Sequence, residues 1–297
     1  MDEIVYTYSE ERVNHHAGVF MRKVVVYRWR FRLFLSLILL TIVLVGASVS
    51  GHVRRLLAIR MDLPRTESFR SMKLSDGLLQ SSAMLEEKTG WPIGRVLLLE
   101  FAENHAVFPQ TMPETEKLKE MDEWLVRWRP REYQALEDAF GAVWDDVSCF
   151  PVKCEAGYEN SWMARRTYGG ERGHEGTDLM PPSDQSGVYP VFSVTEGVVE
   201  KMGWLPKGGY RVGVRSPSGG YFYYAHLSEY AQGLSQGQSV EAGQLLGYMG
   251  DTGYGPEGTT GKFKVHLHFG IYINTQEGEE LSVNPYWVLR YLEMNKT

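Results

Sequence analysis

Hydrophobic positions divide the chain into three texts. From Leu33 to Val49 the run LFLSLILLTIVLVGASV carries no charge over seventeen residues. As a helix it measures about 25 Å, near the lower limit for crossing a bilayer. After Asp62 apolar residues recur at helical spacing. Leu74, Leu78, Met84 and Leu85 mark one helix, and Val96 to Ala102 (VLLLEFA) a more buried one, a run that a strand also satisfies. Leu118, Met121, Leu125 and Trp128 precede Pro130, and Tyr133, Leu136, Phe140, Val143, Trp144 and Val147 follow it, so two amphipathic helices meet there. Thr111 with Glu114 offers a capping box for the first, and Pro130 suits the opening turn of the second. Tryptophans 91, 124, 128 and 144 fall at helical spacing, and most of them read as core. Beyond Cys149 the text becomes short alternating runs: Val188 to Val199, Tyr210 to Val214, Tyr221 to Leu227 and Val265 to Ile273 read as strands, with SPSGG at 216–220 as a turn. Residues 151–297 hold 24 of the 31 glycines, and runs so close together favour antiparallel pairing.

The expected class is therefore α+β, in four pieces: an N-terminal segment 1–32, an apolar helix 33–50, a helical region 61–148 and a β-rich domain 149–297. A chain of 297 residues with 43% hydrophobic and 23% charged positions is long and apolar enough to pack a core, which excludes a largely disordered protein. Charge is uneven. Residues 1–60 hold nine Lys/Arg against four Asp/Glu, so the net −6 leaves −11 on the remainder, and an acidic body argues against nucleic-acid binding.

The basic excess at Arg22, Lys23, Arg28, Arg30 and Arg32 places the N-terminal side of the apolar run in the cytoplasm and the body outside. A signal peptide is the alternative, with Met21-Arg22-Lys23 as a basic start and Ser48-Val49-Ser50 near a cleavage site; an uncleaved anchor is preferred because the run exceeds the usual ~7–15 residues. In both cases the body is exported: a single-pass protein of the cell membrane with its C-terminal domain outside, or a secreted one after cleavage. In that environment Cys149 and Cys154, the only cysteines, are expected to close a short disulfide.

Candidate chemistry sits on four of the eight histidines: His174-Glu-Gly-Thr-Asp178, then His226 in YYAHLSEY, then His266-Leu-His268 in KVHLHFGIYI. Chance alone supplies roughly 0.2 His-x-His and roughly 0.3 His-x3-Asp pairs in such a chain, so neither spacing is specific by itself. A strand repeats every two residues, so His266 and His268 share one face, where one can hold a metal and the other can meet a substrate. His174 and Asp178 lie in a glycine-flanked loop that can turn two side chains to one centre. Two imidazoles and a carboxylate leave a fourth position for water, the mark of a hydrolytic zinc site.

The order H-x3-D, Y-x-H-L and H-L-H-F over roughly residues 160–290 resembles the lysostaphin/LytM family of zinc endopeptidases. The resemblance implies that His174, Asp178 and His268 hold Zn²⁺ while His226 and His266 act as unligated catalytic histidines. All five positions are filled. Two departures stand beside it: the lead GDTGYGPEGTTGKFKV is longer than the family's usual approach to this strand, and Gly270 follows HLHF where Glu is common. No HExxH glutamate is present, so a neutral imidazole must move the proton of the attacking water; His266 is assigned that role, with His226 donating to the oxyanion or sharing the transfer. Tyr224, two residues before His226 and thus expected on its face, and Tyr254 are the candidates to line a substrate groove. The implied function is an exported, zinc-dependent hydrolase of peptide bonds in bacterial cell-wall peptidoglycan. The other reading is a membrane-anchored LytM-like binding module that holds or activates an envelope partner, through the groove or the helical region.

Overall fold

A computed structural model describes residues 3–9, 21–167, 170–275 and 278–295. The first unit, residues 1–54, begins with two antiparallel strands, β1 (Glu3–Ser9) and β2 (Met21–Tyr27), paired from Glu3 opposite Tyr27 to Ser9 opposite Met21. The run after them is helical. Helix α1 (Arg28–Ala58) has 31 residues, so it exceeds the seventeen-residue apolar run at both ends. Leu39, Ile42 and Leu44 are each more than 60% exposed, with no protein surface against them. The Thr41 hydroxyl donates to the Leu37 carbonyl at 2.8 Å, so this polar group is met within the helix itself. Among the described residues this is the single helix long and apolar enough to cross a membrane, a property that a signal sequence shares.

Residues 55–297 form the second compact unit, in which helices and sheet share one hydrophobic core. A 3-10 turn (Leu63–Arg65) leads into α2 (Glu67–Arg70), α3 (Asp76–Thr89), α4 (Ile93–Glu103), α5 (Thr115–Trp128) and α6 (Pro130–Trp144). Local chemistry sets the ends of α3: the Ser75 hydroxyl accepts from the Leu78 amide, and Gly90 closes the helix at φ +71°. The VLLLEFA run is helix, and α4 is buried on all faces because α3, α5 and α6 surround it. Phe140 on α6 meets Phe69 and Phe101 edge-on at 5.0 and 5.8 Å.

Two sequence expectations fail within this helical part. The capping box does not form: α5 starts at Thr115 behind an uncapped Glu114, since Pro113 disfavours helical geometry at Met112 and denies Thr111 the position of a cap. Trp144 is buried, but Trp128 is 60% exposed, because it ends α5 where the chain turns away at Arg129-Pro130.

The β-rich part contains β3 (Arg165–Arg166) paired with β4 (Arg172–Gly173), and a nine-stranded antiparallel sheet. Its members are β5 (Thr177–Leu179), β6 (Pro190–Phe192), β7 (Gly197–Leu205), β8 (Gly209–Arg215), β9 (Tyr221–Tyr230), β10 (Ser239–Val240), β11 (Leu245–Met249), β12 (Leu267–Asn274) and β13 (Glu280–Val283). The order is β10-β7-β8-β9-β11-β6, with β12 pairing β9, β5 and β13. Helix α7 (Tyr286–Met294) follows, its Tyr291 edge-on to Trp144 at 6.0 Å. The run 188–199 proves to be two strands, separated by Ser193–Glu196.

No disulfide joins Cys149 to Cys154, contrary to the sequence expectation. Backbone pairing does its work: Val147 bridges Thr195 and Val152 bridges Val191, so both ends of this segment are already tied to the sheet. Cys149 Sγ faces the Phe150 carbonyl at 3.4 Å, and burial pushes its thiol pKa up.

Candidate active site

The strands bring the five residues into one cavity of about 730 Å³. His174 follows β4, Asp178 lies on β5, and His268 lies on β12 directly opposite Asp178 in the β5–β12 register. That pairing closes a sequence separation of 90 positions. His174 Nε2, Asp178 Oδ1 and His268 Nδ1 stand 3.0 Å apart on each side of a triangle. His174 Nδ1 faces the Ser161 carbonyl at 3.2 Å; a proton donated there leaves Nε2 with a lone pair. Burial works against ionisation of Asp178, but the surrounding imidazoles of His174, His268 and His266 outweigh it and hold the carboxyl well below its usual range. Three potential ligand atoms this close are a donor set that one cation satisfies. Zinc bonds of about 2.0–2.2 Å span such a triangle.

Gly176 backs the triangle. A Cβ there would lie 2.6 Å from His268 Cε1 and 2.6 Å from the Phe269 carbonyl oxygen, so the loop can pass behind this imidazole only without a side chain. Arg166 donates to Asp178 Oδ2 at 2.6 Å.

The other two histidines face the same cavity. His226 sits on β9 at φ +63°, a left-handed conformation that non-glycine residues seldom hold. It marks a bulge: Tyr210 pairs Leu227 and Val212 pairs Tyr224, so Ala225 and His226 together oppose Arg211. His226 Nδ1 donates to the Thr252 carbonyl at 2.7 Å, and Thr252 is held in turn by its own hydroxyl on the Leu227 carbonyl. Burial, then the neighbouring His266 and His268, push the His226 pKa well down, so the ring is neutral and Nε2 is an acceptor. His266 repeats the arrangement, Nδ1 donating to the Lys264 carbonyl at 2.8 Å, with Nε2 3.7 Å from Asp178 Oδ1. The two rings are 4.8 Å apart.

The bulge corrects one groove residue. Tyr224 is buried, and its hydroxyl accepts from the Val194 amide at 2.8 Å inside the core. Strict alternation put it on the face of His226; the left-handed residue and the extra position break the alternation, and Tyr223 lines the cavity instead. Tyr254 lines the cavity, roughly parallel to the His226 ring at 6.2 Å, its hydroxyl accepting from Arg172. Phe263 was not anticipated. It packs edge-on against His226 at 4.6 Å and His266 at 5.1 Å, so the long loop before β12 covers the histidine pair. Its lone signal in sequence was the departure of that loop from the family pattern.

Residues 172–283, which contain all five side chains, match Peptidase family M23. A curated L-Ala–D-Glu endopeptidase of Bacillus subtilis is 42% identical over 164 residues, 54% of this chain and 49% of its own, so the chain spans about half the length of that relative. A solved structure of a lytM protein from Ruminococcus gnavus shares 43% identity over 78% of this chain and 92% of its own, with a TM-score of 0.65. Lysostaphin of Staphylococcus simulans shares 26% identity over 51% of this chain and 56% of its own, with a TM-score of 0.39. The likeness to the Ruminococcus protein runs through nearly all of that structure, helices included, and on it the chain belongs to Peptidase family M23.

Proposed function

We propose that the chain is an exported zinc metalloendopeptidase that cuts peptide bonds in bacterial peptidoglycan, held at the membrane by α1 or released if α1 is cleaved. The observation that carries the reading is the triangle of His174 Nε2, Asp178 Oδ1 and His268 Nδ1, each side 3.0 Å, beside two imidazoles that present acceptor Nε2 atoms. The name of the Bacillus relative, an L-Ala–D-Glu endopeptidase, supports a cell-wall peptide as substrate. The whole-chain activity rests on that analogy together with the site.

His174, Asp178 and His268 would hold the ion. Zinc there supplies Lewis acidity to the scissile carbonyl and lowers the pKa of water to about 7. His266 takes the proton of the attacking water on Nε2 and returns it to the departing amine. Its Nδ1 proton, committed to the Lys264 carbonyl, fixes the tautomer that makes this possible. His226 narrows to one of the two roles considered for it. With Nδ1 bound to Thr252 and burial opposing a positive charge, the ring offers an acceptor and not a donor, so it shares the proton transfer and does not bind the oxyanion. Tyr254 and Phe263 wall the histidine pair against water.

The test uses the full chain purified in detergent. It is expected to retain one zinc ion by elemental analysis and to release soluble peptides from purified cell walls, with a chelator abolishing release and added zinc restoring it. His174→Ala is expected to lose both metal and activity. Release that continues in chelator would overturn the reading; zinc retained without release would favour the binding module.

Gly176→Ala tests the backing of the triangle. The methyl group displaces the His268 ring, and a misplacement of about 1 Å lowers hydrolysis by about 10²-fold. Competition against a chelating dye should show weaker zinc retention in the same variant. Unchanged zinc affinity would remove Gly176 from this role.

A further inference from the structure

Charge in the cavity runs opposite to charge in the chain. Arg166, Arg172, Lys201, Lys207, Arg211 and Lys262 line it against three carboxylates, Glu175, Asp178 and Glu280, in a protein of net charge −6. Asp178 belongs to the donor triangle and binds Arg166, and Glu280 faces Arg215 at 3.5 Å. Lys201 has Glu200 at 3.9 Å beside the cavity, whereas among the described residues no carboxylate pairs with Lys207 or Arg211.

Arg211 is the most exposed to this imbalance in energetic terms, although it is half-buried. Its Nη1 is buried and makes no hydrogen bond, and among the described residues no carboxylate pairs with its guanidinium. A buried N–H is rarely left unmet without a reason. Its place is also suggestive: it stands opposite the bulge that aims His226 into the cavity. The Tyr223 hydroxyl lies over Gly208 and the Tyr221 hydroxyl over Gly213, so both phenols cross β8 close to Arg211, and the guanidinium charge acts on both. Lys207 adjoins Gly208, and Lys201 pairs Gly213 across β7–β8, with its ammonium 5.5 Å from the Tyr221 ring.

We propose that Arg211, with Lys201 and Lys207 beside it, binds a carboxylate of the substrate peptide, so that the groove selects acidic peptides over neutral ones. A planar fork of N–H donors matches a carboxylate in two hydrogen bonds, and the buried, unpartnered Nη1 leaves the cavity-facing remainder of the guanidinium to carry the charge toward a ligand. The inference deepens the peptidase reading, since it names the class of peptide that the same groove takes.

Binding is tested apart from turnover, on the full chain in detergent and freed of metal, so that no carboxylate can attach through an ion. The probes are N-acetyl-Ala-D-Glu-Lys with free carboxylates, the same peptide with every carboxylate amidated, and N-acetyl pentaglycine amide, titrated by calorimetry. The acidic peptide is expected to bind at least about tenfold tighter than either neutral one. Arg211→Gln, its fold checked by thermal melting, is expected to erase the difference, and Arg211→Lys to keep part of it, as charge without the fork. Equal affinities in the unaltered chain, discrimination that survives Arg211→Gln, or no binding of any probe overturns the proposal. With the zinc-loaded chain, Arg211→Gln should raise KM for acidic peptides and leave kcat in place. Failure of the loaded chain to cleave cell walls would remove the peptidase reading and leave the binding result standing.

Discussion

His266→Ala is expected to lower peptide release from cell walls by about 10²–10⁴-fold while the zinc content stays that of the unaltered chain. The expectation rests on division of labour within the cavity. The triangle atoms belong to His174, Asp178 and His268, and His266 Nε2 stands outside it at 3.7 Å from Asp178 Oδ1. Removing the ring takes away the proton acceptor but none of the metal donors. The backbone should tolerate the change, since the neighbours Val265 and Leu267 carry the local packing. His226→Ala should act in the same direction, and the double variant should lose little beyond the larger single loss, because groups that share one proton transfer are not additive. Elemental analysis beside single-turnover rates on defined muropeptides measures both halves. An active His266→Ala variant would remove the ring from the proton path; loss of zinc on that substitution would make it a ligand.

The second large effect lies far from the cavity. Glu100, on α4, is fully buried, and its carboxyl lies 2.9 Å from the Ser82 hydroxyl of α3. Burial pushes its pKa up to about 8, with the Ser82 hydrogen bond opposing in part. The ordinary value is 4.5, so the folded chain holds a proton that the unfolded chain releases between about pH 4.5 and 8. Stability therefore falls as pH rises through that window, by about 1.4 kcal/mol per unit and up to ~5 kcal/mol across it, and flattens above. Glu100→Gln keeps the shape and a donor for the Ser82 oxygen but cannot ionise. The variant is expected to match the unaltered chain near pH 4 and exceed it by a growing margin up to pH 8, in denaturant titrations of the detergent-purified protein. A pH slope shared by both proteins would assign the effect to other groups.

Glu100 also shows where sequence patterning reaches its limit. It sits within VLLLEFA, whose apolar density announces burial, but no period in the text says that α3, α5 and α6 enclose the helix on every side. The same holds for Trp128. Helical spacing placed it with Leu118, Met121 and Leu125, which are buried, yet the chain leaves the core one residue later. A local signal succeeded where the cause was local: Pro130 opens α6. The expected capping box shows how one residue defeats such a signal, because Pro113 acts through the conformation of the residue before it.

Hydrophobic periodicity by itself determined the apolar N-terminal helix, the helical stretch after it and the antiparallel β-rich domain, since side chains repeat with the element that carries them. Residue type and order determined which side chains could gather as donors and bases, because few combinations of imidazole and carboxylate suit hydrolysis. Tertiary structure alone decided how they meet. The β5–β12 register sets His268 opposite Asp178, Gly176 lets the loop pass behind the ring, and the carbonyls of Lys264 and Thr252 choose the tautomers of His266 and His226. It also exchanged Tyr224 for Tyr223 at the groove and left Arg211 without a partner inside it. The physical reason is shared by all but the Lys264 acceptor, which lies two residues from His266: register, bulges and the other contacts come from residues distant in the chain, and a pattern read over ten or twenty positions carries no record of them.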